Sequence, residues 1–261
     1  MKLGKGPARH DDRTLKLAKY LPTLPTPPPV CDWGSKVLAW GMLANDTLGD
    51  CTCASAGHML MAWTSEDSVE FIPTDAQTIA AYSAITGYNP KNGTNDNGAV
   101  ELDVLNYWRK KGIAGKKILA YVKLEPGPDH LKTACFLFGG VYIGVSLPTE
   151  AQNQKVWNVT PGETPGSWGG HAVPVVGYNA VGPVVVTWGE TKQMTWAALL
   201  AWCDEAYAVL GMDWVGPDKK APNEFLLDNL LDDLDDLNGQ NTVESPSLWN
   251  RFKQWWKGVW G

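Results

Sequence analysis

The spacing of apolar positions changes character midway along the chain. In the first half they recur at helical intervals, which predicts helices over 51–63, 75–86 and 100–111. The last of these puts Leu102, Leu105 and Trp108 on one face, and Gly112 stands where a helix stops. Asp50 is placed to cap the first, after a loop over 45–50, and a Gly/Asn-rich loop spans 87–98. In the second half the apolar runs become short and β-branched, predicting strands over 118–122, 140–147, 172–178 and 184–187, with a helix over 130–138 between them. Helices segregated from strands predict an α+β protein of two lobes, not a parallel βαβ array.

The flanks differ from this body. Residues 1–21 carry Lys2, Lys5, Arg9, Arg13, Lys16 and Lys19 and lead into a proline run over 22–29, which reads as an extended arm. The expected organisation is therefore an arm over 1–29, a body over 30–215 (helical lobe 30–115, β lobe 116–215) and an extension over 216–261. In the extension, Leu226, Leu227, Leu230, Leu231, Leu234 and Leu237 share a helical face opposite a solvated face of Asp228, Asp232, Asp233, Asp235 and Asp236. A second short helix sets Trp249, Phe252, Trp255 and Trp256 against Arg251, Lys253 and Lys257. Residues 247–261 thus suit either packing on the body or docking on a protein partner or an anionic surface.

Composition narrows the function classes. A net charge of −6 gives no basis for general nucleic-acid binding. No apolar run approaches the roughly 20 residues that span a bilayer, and 1–21 lacks the apolar core of a secretion signal, so a cytoplasmic location is expected. The five cysteines are an odd number, and Cys51-Thr52-Cys53 has no second pair or histidine motif that would suit zinc. Buried thiols in a reducing compartment, with no metal or other cofactor, are the expectation.

One pair of residues stands out chemically. A thiol is a nucleophile only as a thiolate, and a helix N-terminus beside an imidazolium lowers its pKa. Cys51 opens the first predicted helix. Cys53 lies about 200° further around it, so one of the two faces a cleft and the other the core. Of the four histidines, His58 sits roughly 10 Å along the same helix from Cys51, beyond hydrogen-bond reach. His10 and His130 read as surface residues, leaving His171, after Gly169-Gly170 at the opening of a strand, as the candidate base.

Segment 30–56, VCDWGSKVLAWGMLANDTLGDCTCASA, resembles the start of a mature papain-family cysteine peptidase, with Asp32-Trp33, Asn45 and Gly49-Asp50-Cys51 at the family's spacing. Segment 170–178, GHAVPVVGY, resembles its histidine strand, and 97–113 resembles its glycine loop and following helix. Residues 30–190 follow the family pattern in order. The resemblance implies a papain-like two-lobe fold, with a central Cys-bearing helix and an antiparallel, β-barrel-like second lobe. It implies a thiol hydrolase acting on amide bonds of a peptide or protein substrate, with Cys51 as nucleophile and His171 as base and later acid. Asn45 and the Cys51 N–H would form the oxyanion hole. Two positions depart from the pattern. Asn45 replaces a glutamine, and the family's asparagine before Ser-Trp-Gly is missing from Val186-Thr187-Trp188-Gly189; counting forward from His171 reaches Thr187, counting back from Trp188 reaches Val186. These departures keep a second reading open: a papain-like scaffold that binds through its cleft or its tryptophan-rich end. A third expectation concerns residues 1–29, which would cover the cleft as an inhibitory arm.

Overall fold

The structure, a computed structural model, describes residues 1–12, 14, 16–17, 26–66, 69–125 and 127–214. The two helices expected in 216–261 lie outside the described residues.

The first long element is α1 (Cys51–Ser65), and all fifteen of its residues are buried. A helix that is covered all round belongs in the interior of a protein, and small residues such as Ala54, Ala56 and Gly57 let neighbours approach it closely. Asp50 does not cap it as expected. Its φ/ψ of −100°/18° turn the carboxyl away from the extended geometry that a cap needs, and no side-chain hydrogen bond reaches the first turn. Around α1 pack α2 (Asp75–Thr86), started by a Thr74/Gln77 capping box, and α3 (Glu101–Lys110). Trp63 of α1 stacks on Trp108 of α3 at 5.7 Å, and its indole N–H bonds the Phe138 carbonyl at 3.0 Å.

The second half forms an antiparallel sheet. Its strands are β1 (Cys31–Asp32), β2 (Ile118–Lys123), β3 (Val141–Leu147), β4 (Gly169–Tyr178), β5 (Pro183–Thr187), β6 (Glu190–Gln193) and β7 (Cys203–Gly211). They run in the order β2-β7-β3-β4-β5-β6, with β1 joined to the end of β4. Alternation divides the strands between two faces. Tyr142, Ala172, Tyr207 and Val209 join the core around α1–α3, while Val141, Ile143, Val173, Val175 and Ala206 face α4 (Pro128–Phe138) and α5 (Trp196–Trp202). The expected barrel-like lobe is in fact an open sheet, because β2 and β6 end it at opposite edges without pairing to each other. The α+β class holds, and the helical half meets the sheet along α1 and β4.

Candidate active site

Cys51 is the first residue of α1, with the helix N-terminus behind it. Ser55, one turn on, donates to the Ala172 carbonyl at 2.7 Å, and Tyr142 of β3 donates to the Thr52 carbonyl at 2.8 Å. These two bonds fix the start of α1 against β4, so Cys51 lies beside Ala172, whose N–H is directed at the sulfur. His171 is the next residue back. It does not open its strand as the sequence suggests. Gly169 and Gly170 extend β4 to pair with Leu147 and Ser146, so His171 stands inside the ladder opposite Val145 and is fully buried. Its Nε2 meets Thr187 Oγ1 at 2.8 Å, and its ring lies on Trp188 at 4.6 Å and 17° between planes. Nδ1 has no hydrogen-bond partner among the described residues. Of the two alignments left open by sequence, the structure sets Thr187 against the imidazole.

Asn45 is buried near the same helix start. Its amide donates to the Leu48 carbonyl at 3.0 Å and faces the Asp50 carboxyl. Burial pushes Asp50 up to about 8, with the Asn45 amide opposing. Burial likewise pushes the Cys51 thiol up to about 12, although the N–H groups of Ala172 and Gly4 draw it back part-way. His171 goes the other way, down to about 3, through burial and then His58. At neutral pH the thiol and the imidazole are therefore both uncharged in this arrangement.

The arm is part of the cover over Cys51, with the Gly4 main chain facing the sulfur. Residues 1–6 lie in the trough between the two halves, bonded to both. From the helical side, Asn45 accepts the Lys2 N–H at 3.1 Å, and Ala99 donates to Gly4 and accepts from Gly6, both at 2.8 Å. From the sheet side, Gly170 accepts the Lys5 N–H at 3.1 Å and the Trp188 indole donates to the Lys2 carbonyl at 3.2 Å. Lys2 Nζ reaches Asp96 at 2.6 Å, and Asp96 also accepts from the Gly49 N–H and the Tyr82 hydroxyl. The trough is narrow. A Cβ on Gly4 would fall 1.9 Å from the Gly49 carbonyl oxygen, and one on Gly98, whose φ is +78°, would fall 2.1 Å from that of Gly4. Cys51 is covered to 1% exposure beneath this strand.

The sequence reading missed several residues of this site. Trp188, taken there as part of a motif, is the platform under His171. Asp96 was placed in a plain loop. The buried carboxyls of Glu101 and Glu205 went unnoticed, although an Asp204-Glu205 pair inside an apolar strand was a usable signal, since charges are not buried without partners.

Solved structures share this architecture. Xylellain, a cysteine protease from Xylella fastidiosa, superposes with a TM-score of 0.60 at 18% identity, over 80% of this chain and 96% of that one. The fold is that of the papain-like cysteine peptidases. A procathepsin B of Trypanosoma congolense (TM-score 0.56, 13% identity, 81% of this chain and 87% of that one) and a digestive procathepsin L of Tenebrio molitor (0.54, 15%, 79% and 75%) share the papain-like fold. No family model and no curated protein sequence matches the chain. At these identities the likeness is one of backbone.

His58 allows a separate check on the interior of this papain-like fold. It is buried on α1, bonded to the Gly41 carbonyl at 3.1 Å and packed edge-on against Trp40. Burial lowers it from 6.5 to about 4. Below pH 6.5 the unfolded chain takes up a proton that the folded chain refuses, so stability is lost as pH falls from 6.5 towards 4, by on the order of 3 kcal/mol. His171 adds to the same slope. His58→Gln keeps an N–H for Gly41 and removes one of the two titrations. Measured by urea at each pH, the stability of the variant relative to the native chain should rise by on the order of 3 kcal/mol between pH 7 and pH 4.5; a constant difference would show that His58 is not buried as a neutral ring.

Proposed function

We propose that the protein is a papain-like thiol hydrolase that cleaves amide bonds in peptides or proteins, held latent by its own residues 1–6. The observation that carries this reading is the state of His171. One ring nitrogen is bonded to Thr187, the face rests on Trp188, and Nδ1 is without a partner next to the strand residue whose N–H points at the Cys51 sulfur. A buried nitrogen left unpaired is costly, and a catalytic role is one reason for a protein to keep it so. In this reading Nδ1 takes the Cys51 proton and Sγ attacks the amide carbon. The imidazolium then protonates the leaving amine, and water hydrolyses the thioester to regenerate the thiol. Thr187 orients the ring, as the third member of such a triad does. The Cys51 N–H and the Asn45 amide hold the oxyanion, once Asn45 exchanges its bond to Leu48. The five free thiols are in keeping with work in a reducing compartment.

The arm accounts for the uncharged pair. A thiolate–imidazolium pair needs solvent or a polar ligand around it, and residues 1–6 exclude both. The non-catalytic scaffold has one observation in its favour, the Asn45 amide already committed to Leu48. The two readings separate on the pH dependence of Cys51 alkylation, measured in full-length Gly4→Val, whose arm cannot seat, with and without His171→Ala. Reaction that persists well below pH 7 and collapses about 100-fold without His171 supports the hydrolase. A profile rising near the ordinary thiol pKa of roughly 8.5 in both proteins would leave the scaffold.

A further inference from the structure

The arm does not only cover Cys51; it also drives one side chain deep into the protein. Lys5, held by main-chain bonds at Gly170 and, through its neighbours, at Ala99, enters a cavity made by Glu101, Gly144, Ser146, Asp204, Glu205 and Tyr207. Its Nζ lies 3.0 Å from Asp204 Oδ1 and 3.0 Å from Glu205 Oε1, and it also donates to the Gly6 carbonyl at 3.2 Å. The lysine and Glu205 side chains are each 1% exposed, while Asp204 at 32% marks the mouth. Around them, Tyr207 donates to Glu205 Oε2 at 2.9 Å and Ser146 to Asp204 Oδ2 at 2.9 Å, which fixes both carboxylates. Glu101, fully buried at the start of α3, has no hydrogen-bond partner for either oxygen among the described residues. It is aimed at the same space: a Cβ on Gly144 would lie 2.8 Å from Glu101 Oε1 and 2.0 Å from Lys5 Cε. The missing side chain at Gly144 is the room that the lysine stem fills.

We propose that this cavity is the side-chain specificity pocket of the cleft, and that it selects peptides carrying lysine or arginine at the position where the arm places Lys5. The inference rests on reading the trough as the substrate-binding site, and extends it to a substrate class. Once the arm leaves, two fixed carboxylates and a third buried carboxyl remain beside Cys51 without a cation. A neutral side chain entering there leaves them desolvated and unpaired, whereas an ammonium or guanidinium restores the pairing that the arm supplied. Burial alone would lower the lysine pKa, yet Glu101, Glu205 and Asp204 together hold Lys5 above its ordinary value, as a pocket matched to a cation should.

The test is equilibrium binding, which does not depend on Cys51 chemistry. Full-length Gly4→Val is titrated with capped alanine pentapeptides carrying lysine, arginine, norleucine or glutamate at the centre, and with the hexapeptide of residues 1–6 carrying lysine or norleucine at its fifth position. Lysine and arginine pentapeptides should bind at least 30-fold tighter than norleucine, and adding Glu205→Gln should reduce that preference several-fold. Equal affinities, no binding of any pentapeptide, or a preference confined to the arm hexapeptide would overturn the proposal, the last showing a latch for the arm alone. None of these outcomes bears on whether Cys51 is activated. Should Gly4→Val not fold, Lys5→Ala provides a second reading. Millimolar n-butylammonium should raise its Tm by several degrees and n-butanol should not; identical responses to the two would reject the pocket.

Discussion

Gly4→Val should make Cys51 react with iodoacetamide at least 100-fold faster than in the native chain. With no side chain at position 4, the arm passes at van der Waals distance from the Gly49 main chain. A Cβ there would meet the Gly49 carbonyl oxygen, carbon and Cα at 1.9, 2.3 and 2.5 Å. All three are backbone atoms at the start of α1, and none can turn aside as a side chain would. The strand must therefore lift, giving up the bonds to Asn45, Ala99, Gly170 and Trp188. A residue reachable only in an open state reacts in proportion to that state's population, and each 1.4 kcal/mol of lost seating is about a factor of ten. Two such factors are a modest demand for several main-chain bonds, each worth about 1 kcal/mol, plus the clash. Release also readmits water to a thiol that burial holds near 12. Mass spectrometry of the labelled site gives the rate. Labelling of Cys51 at the native rate in a folded Gly4→Val chain would mean that the arm does not control access.

Lys5→Met should be strongly destabilising, at about 3–5 kcal/mol, or a Tm lower by roughly 10 °C. Methionine keeps most of the stem volume and removes the cation. Glu205 and Glu101 are then left without a cation in a site nearly closed to water, with Asp204 at its mouth. The sign of the pH dependence follows from the same charges. Burial and Glu205 already hold the Glu101 carboxyl above its ordinary range against the lysine, so without the lysine it keeps its proton to still higher pH, and the variant's deficit should be small at pH 5 and grow as pH rises towards 8. Urea midpoints across that range measure it. A deficit that is constant with pH would mean the loss is one of packing. In the native chain Asp50 contributes a decline over the same window, since its folded pKa of about 8 exceeds the unfolded 3.8. The comparison must therefore be made variant against native at each pH.

How much of this was legible beforehand differs between backbone and site. The buried α1 and strands β3 to β5 could be read directly, because apolar runs bounded by glycine and proline leave little choice of element. β7 escaped detection: Cys203-Asp204-Glu205 opens it with charged residues that point to a turn, and only the lysine from the arm makes them tolerable inside a sheet. β6 is four polar residues at an edge and carries no apolar pattern at all. At the candidate site, Cys51 is singled out by its place at a helix start, and His171 by elimination among four histidines. The depth of His171 was not legible, since a pair of glycines reads as a strand's limit and here lengthens it. The Thr187 contact lay beyond the reach of counting, because two alignments fitted equally well. A covering arm was expected somewhere in 1–29, but nothing in the spacing of its basic residues says that 1–6 fill the trough or which lysine is buried.

Because residues 1–6 belong to the same chain as the cleft they fill, they compete with any incoming peptide at a fixed local concentration, typically millimolar for a tether of this kind, whatever the dilution of the protein. If the untethered arm and a peptide each bind the bare trough at about 10 µM, the peptide would then need roughly a hundredfold more than that to occupy it half the time. The tether works as a threshold. Scarce or weakly matched peptides are ignored, abundant or well-matched ones get through, and the setting of that threshold resides in the grip on six residues, where it can change without touching Cys51 or His171.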